Sequence, residues 1–272
     1  MFLLLTAIAV ATGLYGAVVV LLFGLQGRLV FPADLFRVEP AEVGLADMEV
    51  IAIETPLGPS VLGWYHPPVA PERLTILMFH GNGESLSGRA HVARDLIDAG
   101  YGVFHAEYRG YGGNPGKPSE AGLYADGRAA IDFLEKRGAK IAAHGYSLGS
   151  GVAVQLAKEG RVEALILEAP YTSIAHVASQ RFPLLPVRWL VRNRFENLAK
   201  IGHVKVPLAI YGGMADLVIP NDHAQRLFAA ANEPKRLFVI EQAGHTDAWM
   251  HGGAGFVLKF LAEIQASGLP PN

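Results

Sequence analysis

Residues 144–151 read His-Gly-Tyr-Ser-Leu-Gly-Ser-Gly, so Gly145 and Gly149 bracket Ser147 as G-x-S-x-G. In this pattern a strand turns abruptly into a helix and leaves a serine hydroxyl at the apex, where the turn is too tight for side chains beside it. The apolar run Ala139-Lys140-Ile141-Ala142-Ala143 supplies the strand, and Ser150, Gly151 and Ala153 are small enough for the following helix to lie close to a sheet. In a chain with 31 glycines the pentapeptide alone is compatible with an ordinary turn, so the rest of the chain has to carry the case. A serine hydroxyl is a poor nucleophile until a base takes its proton, and the base needs a carboxylate to fix its tautomer and stabilise its charged form.

Both groups occur downstream. Asp216 lies in Gly212-Gly213-Met214-Ala215-Asp216-Leu217-Val218-Ile219-Pro220, just beyond the strand-like run Pro207 to Tyr211. His245 lies in Ala243-Gly244-His245-Thr246-Asp247, just beyond Arg236 to Ile240. The chain order Ser, Asp, His fits a serine at a strand-to-helix elbow on a parallel sheet, and all three fall at the C-terminal ends of expected strands, where open α/β sheets place their sites. Glu168, at another strand end, is a reserve acid, whereas Asp247 stands too close to His245 in the chain to reach its far ring nitrogen easily. Attack on a carbonyl also needs backbone N–H groups for the developing oxyanion. Leu148, next to the serine, and Asn82, in the loop His80-Gly81-Asn82-Gly83 after the first parallel strand, are the expected donors. His80 itself reads as a buried structural histidine.

The elements that must position these residues follow from periodicity. Met48 to Glu54 and Val61 to His66 read as an antiparallel hairpin around Thr55-Pro56-Leu57-Gly58-Pro59. From Leu74 strands and helices alternate: strands at Leu74 to Phe79, Gly102 to Glu107, Lys140 to Ala143 and Ala164 to Leu167, with helices near Arg89 to Ala99, Glu120 to Lys136 and from Gly149. Such alternation implies right-handed crossovers and a mostly parallel sheet flanked by helices. Pro170 to Lys200, with Pro183 and Pro186 and a short helical stretch, interrupts the rhythm. The strand Pro207 to Tyr211, a helix near His223 to Ala231, the strand Arg236 to Ile240 and a helix from Ala248 complete it, and Ser267 to Asn272 reads as a loose tail.

The N-terminus is of another kind. Phe2 to Leu25 is apolar and uncharged, and as a helix would span about 36 Å, more than a hydrocarbon core of roughly 30 Å. It has no polar stripe, no Lys or Arg before the apolar core, and continues past the length usual for a cleaved signal, so it reads as a transmembrane anchor. Arg28 and Arg37 after the span favour a catalytic domain on the inner side, on two charges only. The expected division is an anchor and link at 1–31 and a catalytic domain at 32–272, with a short cap insertion at about 171–200.

Taken together, His80-Gly81-Asn82-Gly83, the serine elbow, Asp216 and Gly244-His245 resemble the α/β-hydrolase superfamily over roughly residues 45–265. The loop from Tyr108 to Glu120 (YRGYGGNPGKPSE) and the N-terminal anchor are similar to the membrane-anchored α/β-hydrolase-domain proteins related to the serine-aminopeptidase-like group. The resemblance implies an α/β-hydrolase fold and hydrolytic activity without a cofactor. It departs in two places: Asn114 stands where serine is expected, and Tyr211-Gly212 where His-Gly often precedes the acid loop.

Composition narrows the rest. At 272 residues and 51% hydrophobic the chain can bury one large core, and a net charge of −2 without a Lys/Arg run gives no reason to expect a nucleic-acid partner. With no cysteine, disulfides, thiolate chemistry and Cys-ligated zinc are excluded, and the ten histidines form no metal-binding motif. Neither a phosphate loop nor a dinucleotide fingerprint is complete, because Gly116-Lys117 is followed by Pro118 and Gly81-Asn82-Gly83 by Leu86 at the third glycine position.

The expected reaction is hydrolysis of a carboxylic ester or thioester, with lipid-derived acyl chains preferred. Phe182, Leu184, Leu185, Trp189, Leu190 and Phe195 could line an apolar entrance, with Tyr146 and Tyr171 shaping the pocket or packing in the core. Arg181, Arg188, Arg192 and Arg194 could hold an anionic headgroup beside the membrane, or simply form a solvated helix face. An amidase or peptidase with the same three residues, and a non-catalytic membrane-tethered binding protein, are the alternatives.

Overall fold

The computed structural model describes residues 1–55 and 58–267. Pro56 and Leu57 of the expected hairpin turn, and all of the expected C-terminal tail except Ser267, lie outside them. Eight strands form one sheet: β1 (Glu49–Thr55), β2 (Gly58–His66), β3 (Leu74–Phe79), β4 (Gly102–Ala106), β5 (Lys140–Tyr146), β6 (Ala164–Glu168), β7 (Leu208–Gly213) and β8 (Lys235–Ile240). Their spatial order is β1-β2-β4-β3-β5-β6-β7-β8. β1 pairs antiparallel with β2 and β2 with β4, and every pair from β4 to β8 is parallel. The antiparallel hairpin followed by a parallel sheet is the arrangement the periodicity implies.

The central strands are buried along their whole length because helices cover both faces, which is why they read as unbroken apolar runs rather than alternating ones. α2 (Ala90–Asp98) and α9 (Ala254–Ala266) pack on one face, where Ile76 and Met78 meet Val92, Leu96, Val257 and Phe260. α3 (Glu120–Glu135), α4 (Leu148–Lys158) and α8 (Asp222–Ala230) pack on the other, where Leu77 and Phe79 meet Leu123, Val152, Leu156 and Leu227.

Beyond shifts at the ends of several strands and of the last helix, which starts at Ala254 rather than Ala248, two regions differ from expectation. Between β6 and β7 the chain forms three short helices, α5 (Ile174–Arg181), α6 (Val187–Leu190) and α7 (Asn197–Ile201), rather than one short stretch. Pro183 and Pro186 break the first pair apart, since proline removes a donor and clashes with the preceding turn. The N-terminal helix α1 (Phe2–Val30) runs five residues past Leu25 and ends against the domain, where Phe31 is buried with its ring edge-on to Phe195 at 6.2 Å. It is the one helix among the described residues long and apolar enough to cross a membrane.

Candidate active site

The strand-to-helix elbow at Ser147 is built by what cannot fit. Ser147 joins β5 to α4 at φ 47° and ψ −115°, a conformation that costs a non-glycine residue about 1–3 kcal/mol and survives only where its surroundings enforce it. A Cβ on Gly145 would stand 2.6 Å from the Gly149 carbonyl oxygen, and one on Gly149 would collide with the Phe79 carbonyl at the end of β3. Gly151 is equally confined, by the Tyr171 hydroxyl and the Phe195 ring. The Ser147 N–H donates to the Glu168 carbonyl (2.9 Å), which ties the turn to the end of β6.

The other two groups arrive on neighbouring loops. Gly213 at the end of β7 is paired with Ile240 at the end of β8, and the N–H groups of Met214 and Ala215 donate to the carbonyls of Ile240 (2.8 Å) and Ala243 (3.0 Å). The loops carrying Asp216 and His245 therefore lie side by side. One Asp216 oxygen, Oδ1, accepts from the backbone N–H of Val218 and Ile219 (both 2.8 Å), which aims Oδ2 at His245 Nδ1, 2.7 Å away. His245 Nε2 lies 3.1 Å from Ser147 Oγ. With Nδ1 donating to the carboxylate, Nε2 is left as the acceptor of the serine proton, which is the geometry a general base requires.

The remaining acids do other things. Glu168 is fully buried, and its carboxylate accepts from Arg89 Nη1 (3.0 Å) and the Tyr211 hydroxyl (2.7 Å), far from any role on His245. Burial alone would raise its pKa, but the Arg89 guanidinium and the His144 ring hold it down to about 2. Asp247 accepts from the Gly244 N–H (2.7 Å) and shapes the histidine loop. Tyr211, the departure from His-Gly, is thus a buried partner of Glu168, and Asn114 pins its loop to β2 by accepting from the Leu62 N–H (3.1 Å).

β3 and β5 run in register from Leu74/Lys140 to Phe79/Gly145, so the loop His80 to Gly83 stands next to the elbow. The N–H groups of Asn82 and Leu148 have no acceptor among the described residues. The Asn82 side chain is held separately, its Oδ1 accepting from the Tyr111 hydroxyl (3.5 Å). His80 is sealed in the interior against Glu107.

Above Ser147 and His245 opens a mainly apolar cavity of about 640 Å³. Tyr146 and Tyr171 form part of its floor, and Ile174, Val177, Phe182, Leu185 and Leu190 of the α5–α6 region one wall. Of the residues expected at the entrance, Phe195 belongs instead to the core, fully buried with its ring edge-on to Tyr124 at 5.5 Å, because its backbone turns inward at φ 44°. The four arginines share no single patch. Arg181 borders the cavity, Arg192 lies over the Phe23 ring, and Arg188 and Arg194 border a separate recess with Arg226, where Arg194 also pairs with Glu196.

Sequence reasoning missed the opposite wall. Val19, Leu22, Phe23, Gln26, Leu29 and Val30 of α1 line the same cavity. Gln26, a polar residue inside an apolar helix, was the available signal, and its side chain accepts from the Arg192 N–H (2.9 Å). Outside this site, His176, Asp222 and His223 come within 4.8 Å of one another at their ligating atoms. Their imidazoles are already committed, His223 to Thr172 and Gln180 and His176 to Arg226, and burial lowers the pKa of His223 to about 4.

A strained serine between a central parallel strand and its helix, with acid and histidine on the next loops, defines a class: hydrolases built on a mostly parallel α/β sheet. Comparison with known proteins agrees. The family described as "Serine aminopeptidase, S33" matches residues 70–200. The chain is 35% identical over 272 residues to the uncharacterised protein Rv2307c of Mycobacterium tuberculosis, with 97% of each chain covered. It is 31% identical to the α/β hydrolase domain-containing protein WAV2 of Arabidopsis thaliana, covering 89% of this chain and 88% of that one. Among solved structures, the esterase Pf2001 of Pyrococcus furiosus superposes with a TM-score of 0.71 at 18% identity, covering 86% of this chain and 98% of that one. The chain belongs to the α/β-hydrolase superfamily.

Proposed function

We propose that this protein is a membrane-anchored serine hydrolase that cleaves carboxylic esters or thioesters of lipid-like acyl groups. The observation that carries the reading is the relay from Ser147 Oγ through His245 (3.1 Å) to Asp216 (2.7 Å) at the floor of an apolar cavity. Ser147 Oγ attacks the carbonyl carbon while its proton passes to His245 Nε2, and the carbonyl electron pair moves onto oxygen. The N–H groups of Asn82 and Leu148 hold that oxyanion, a contribution of about 10²–10³ in rate for each such donor. Collapse expels the alcohol or thiol, which takes the proton from His245, and water activated by the same nitrogen releases the acid and restores the serine. Asp216 keeps Nδ1 protonated and stabilises the imidazolium, without itself taking the proton.

Cavity chemistry favours acyl chains over peptides. A peptidase that recognises a free amino terminus needs a carboxylate for it, and Glu84 is the one acidic side chain bordering the cavity among the described residues. It is already engaged by the Gly81 N–H and lies 3.6 Å from Arg89 Nε. Retention of α1 as an anchor is supported by its place in the cavity wall, which cleavage would remove.

The test is reaction of detergent-solubilised protein with a fluorophosphonate, beside Ser147→Ala, followed by p-nitrophenyl esters of two to sixteen carbons. Labelling that disappears in the variant, with a maximum at long chains, is expected. Folded protein that shows no Ser147-dependent labelling would overturn the mechanism in favour of a tethered binding scaffold, and a maximum at short chains would remove the lipid preference.

A further inference from the structure

The two halves of α1 meet different surroundings. Every residue from Phe2 to Val18 is exposed, a stretch of about 26 Å at about 1.5 Å per residue, close to the roughly 30 Å hydrocarbon core of a bilayer. Beyond it, the partly covered residues are Val19, Leu22, Phe23, Gln26 and Val30. Their spacing of three and four places them on one helical stripe, and all five line the cavity over Ser147. The helix thus becomes a pocket wall where its membrane-length segment ends.

Across the cavity, the turn between α5 and α6 and the residues just after α6 are tied to α1 at a defined depth. The Tyr15 hydroxyl donates to the Leu184 carbonyl (2.8 Å), and the Arg192 guanidinium lies 4.2 Å from the centre of the Phe23 ring. Tyr15 precedes Val19 by about one helical turn, so the α5–α6 tip stands at the level of the outer part of the span. Its side chains suit that position: Leu184 is 85% and Trp189 89% exposed, and neither lines the cavity. Such side chains are costly in water and favourable in the interfacial layer, where tryptophan concentrates.

We propose that the seam between α1 and the α5–α6 tip is a membrane-embedded portal, through which the acyl chain of a bilayer-resident lipid slides sideways to Ser147 without crossing water. This rests on the acyl-hydrolase reading above. α1 is then both anchor and acyl-chain wall, and Leu184 and Trp189 set the depth of the portal. The polar half of the substrate stays at the floor, where Ser147, His245 and the free N–H groups are.

The experiment uses the full chain in phosphatidylcholine vesicles, with a long-chain fluorogenic acyl ester dissolved in the bilayer and p-nitrophenyl butyrate in the water. In the double variant Leu184→Asp, Trp189→Asp, hydrolysis of the bilayer ester is expected to fall at least tenfold, while butyrate hydrolysis and fluorophosphonate labelling stay within twofold of the parent. Unchanged hydrolysis of the bilayer ester overturns the portal. Should the double variant lose butyrate hydrolysis as well, Leu22→Trp decides: a wall residue must shift the preferred acyl length downward by several carbons, and an unmoved optimum overturns the proposal. Absence of Ser147-dependent labelling in the parent is a separate outcome, and it sinks the hydrolase reading itself.

Discussion

Two histidine–carboxylate pairs stand at strand ends, and their surroundings differ in what the far ring nitrogen can reach. His245 Nδ1 meets Asp216 at 2.7 Å and His80 Nε2 meets Glu107 at the C-terminal end of β4. The His245 side chain is 14% exposed and its second nitrogen faces Ser147 Oγ, an atom with a proton to give. The His80 side chain is sealed at 0%, and its second nitrogen faces the Gly81 carbonyl at 2.8 Å, which can only accept. His80 thus faces an acceptor at each nitrogen, an arrangement that favours the charged ring. Burial works against that charge, but the Glu107 carboxylate outweighs it and raises its pKa. A histidine beside a carboxylate is thus not in itself a catalytic signature; what its far nitrogen reaches, and whether substrate can arrive there, decides the role.

The widest separation between the pairs comes from removing the proton's source. Ser147→Ala is expected to cost on the order of 10⁶-fold in kcat, the scale seen when a triad nucleophile is deleted, with little change in thermal stability. Asp216→Asn should cost about 10⁴-fold, because the amide favours the wrong tautomer of His245. The matched change in the other pair, Glu107→Gln, should instead destabilise the fold by about 3–5 kcal/mol, since it removes one partner of a buried pair, and leave turnover per folded molecule within a few-fold. Chemical denaturation beside active-site titration separates the two effects. A large loss of kcat in folded Glu107→Gln would erase the distinction.

Stability against pH sharpens it. His80, with a raised pKa, contributes stability that is fully present below about pH 6.5 and is lost as pH rises through its folded value. Glu168, lowered from 4.5 to about 2, contributes stability present above about pH 4.5 and lost as pH falls toward 2. Melting temperature measured across pH is expected to fall on both flanks. Glu107→Gln should flatten the alkaline flank and Glu168→Gln the acid flank, and a variant that flattens neither would contradict the assignment.

How much of this could be read from the chain depends on where the information lies. β3 was legible to the residue, from Leu74 to Phe79, because a doubly covered strand is a continuous apolar run. The convergence of Ser147, Asp216 and His245 was legible because residue types and strand-end positions were read together. β5 and β7 extend to Tyr146 and Gly213, past the ends expected at Ala143 and Tyr211, because Gly145, Gly212 and Gly213 read as turns while the ladder continues through them. The wall formed by α1 was legible only at Gln26: apart from that residue, the stripe that meets the domain has the same apolar chemistry as the faces that do not. Nor was the Arg89–Glu168 pair, whose members stand 79 residues apart and meet only once the sheet is assembled.

The smallest expected effect tests how His245 is steadied. Tyr146 lies between the two charged systems: the Arg89 guanidinium sits 3.2 Å from the centre of its ring, and the His245 ring is 5.4 Å away on a tilted approach. Its hydroxyl donates to the His245 carbonyl at 3.3 Å, a long bond to backbone rather than to the imidazole. Tyr146→Phe keeps the ring between Arg89 and His245 and removes that bond, worth about 0.5–1.5 kcal/mol. Because the bond holds the loop and not the substrate, its loss should lower kcat by about 2–10-fold and leave KM for a short ester unmoved. A change in KM with kcat intact would make Tyr146 part of the acyl pocket instead, and no change in either would mean that the Asp216 bond and the Gly244–Asp247 turn hold His245 without it.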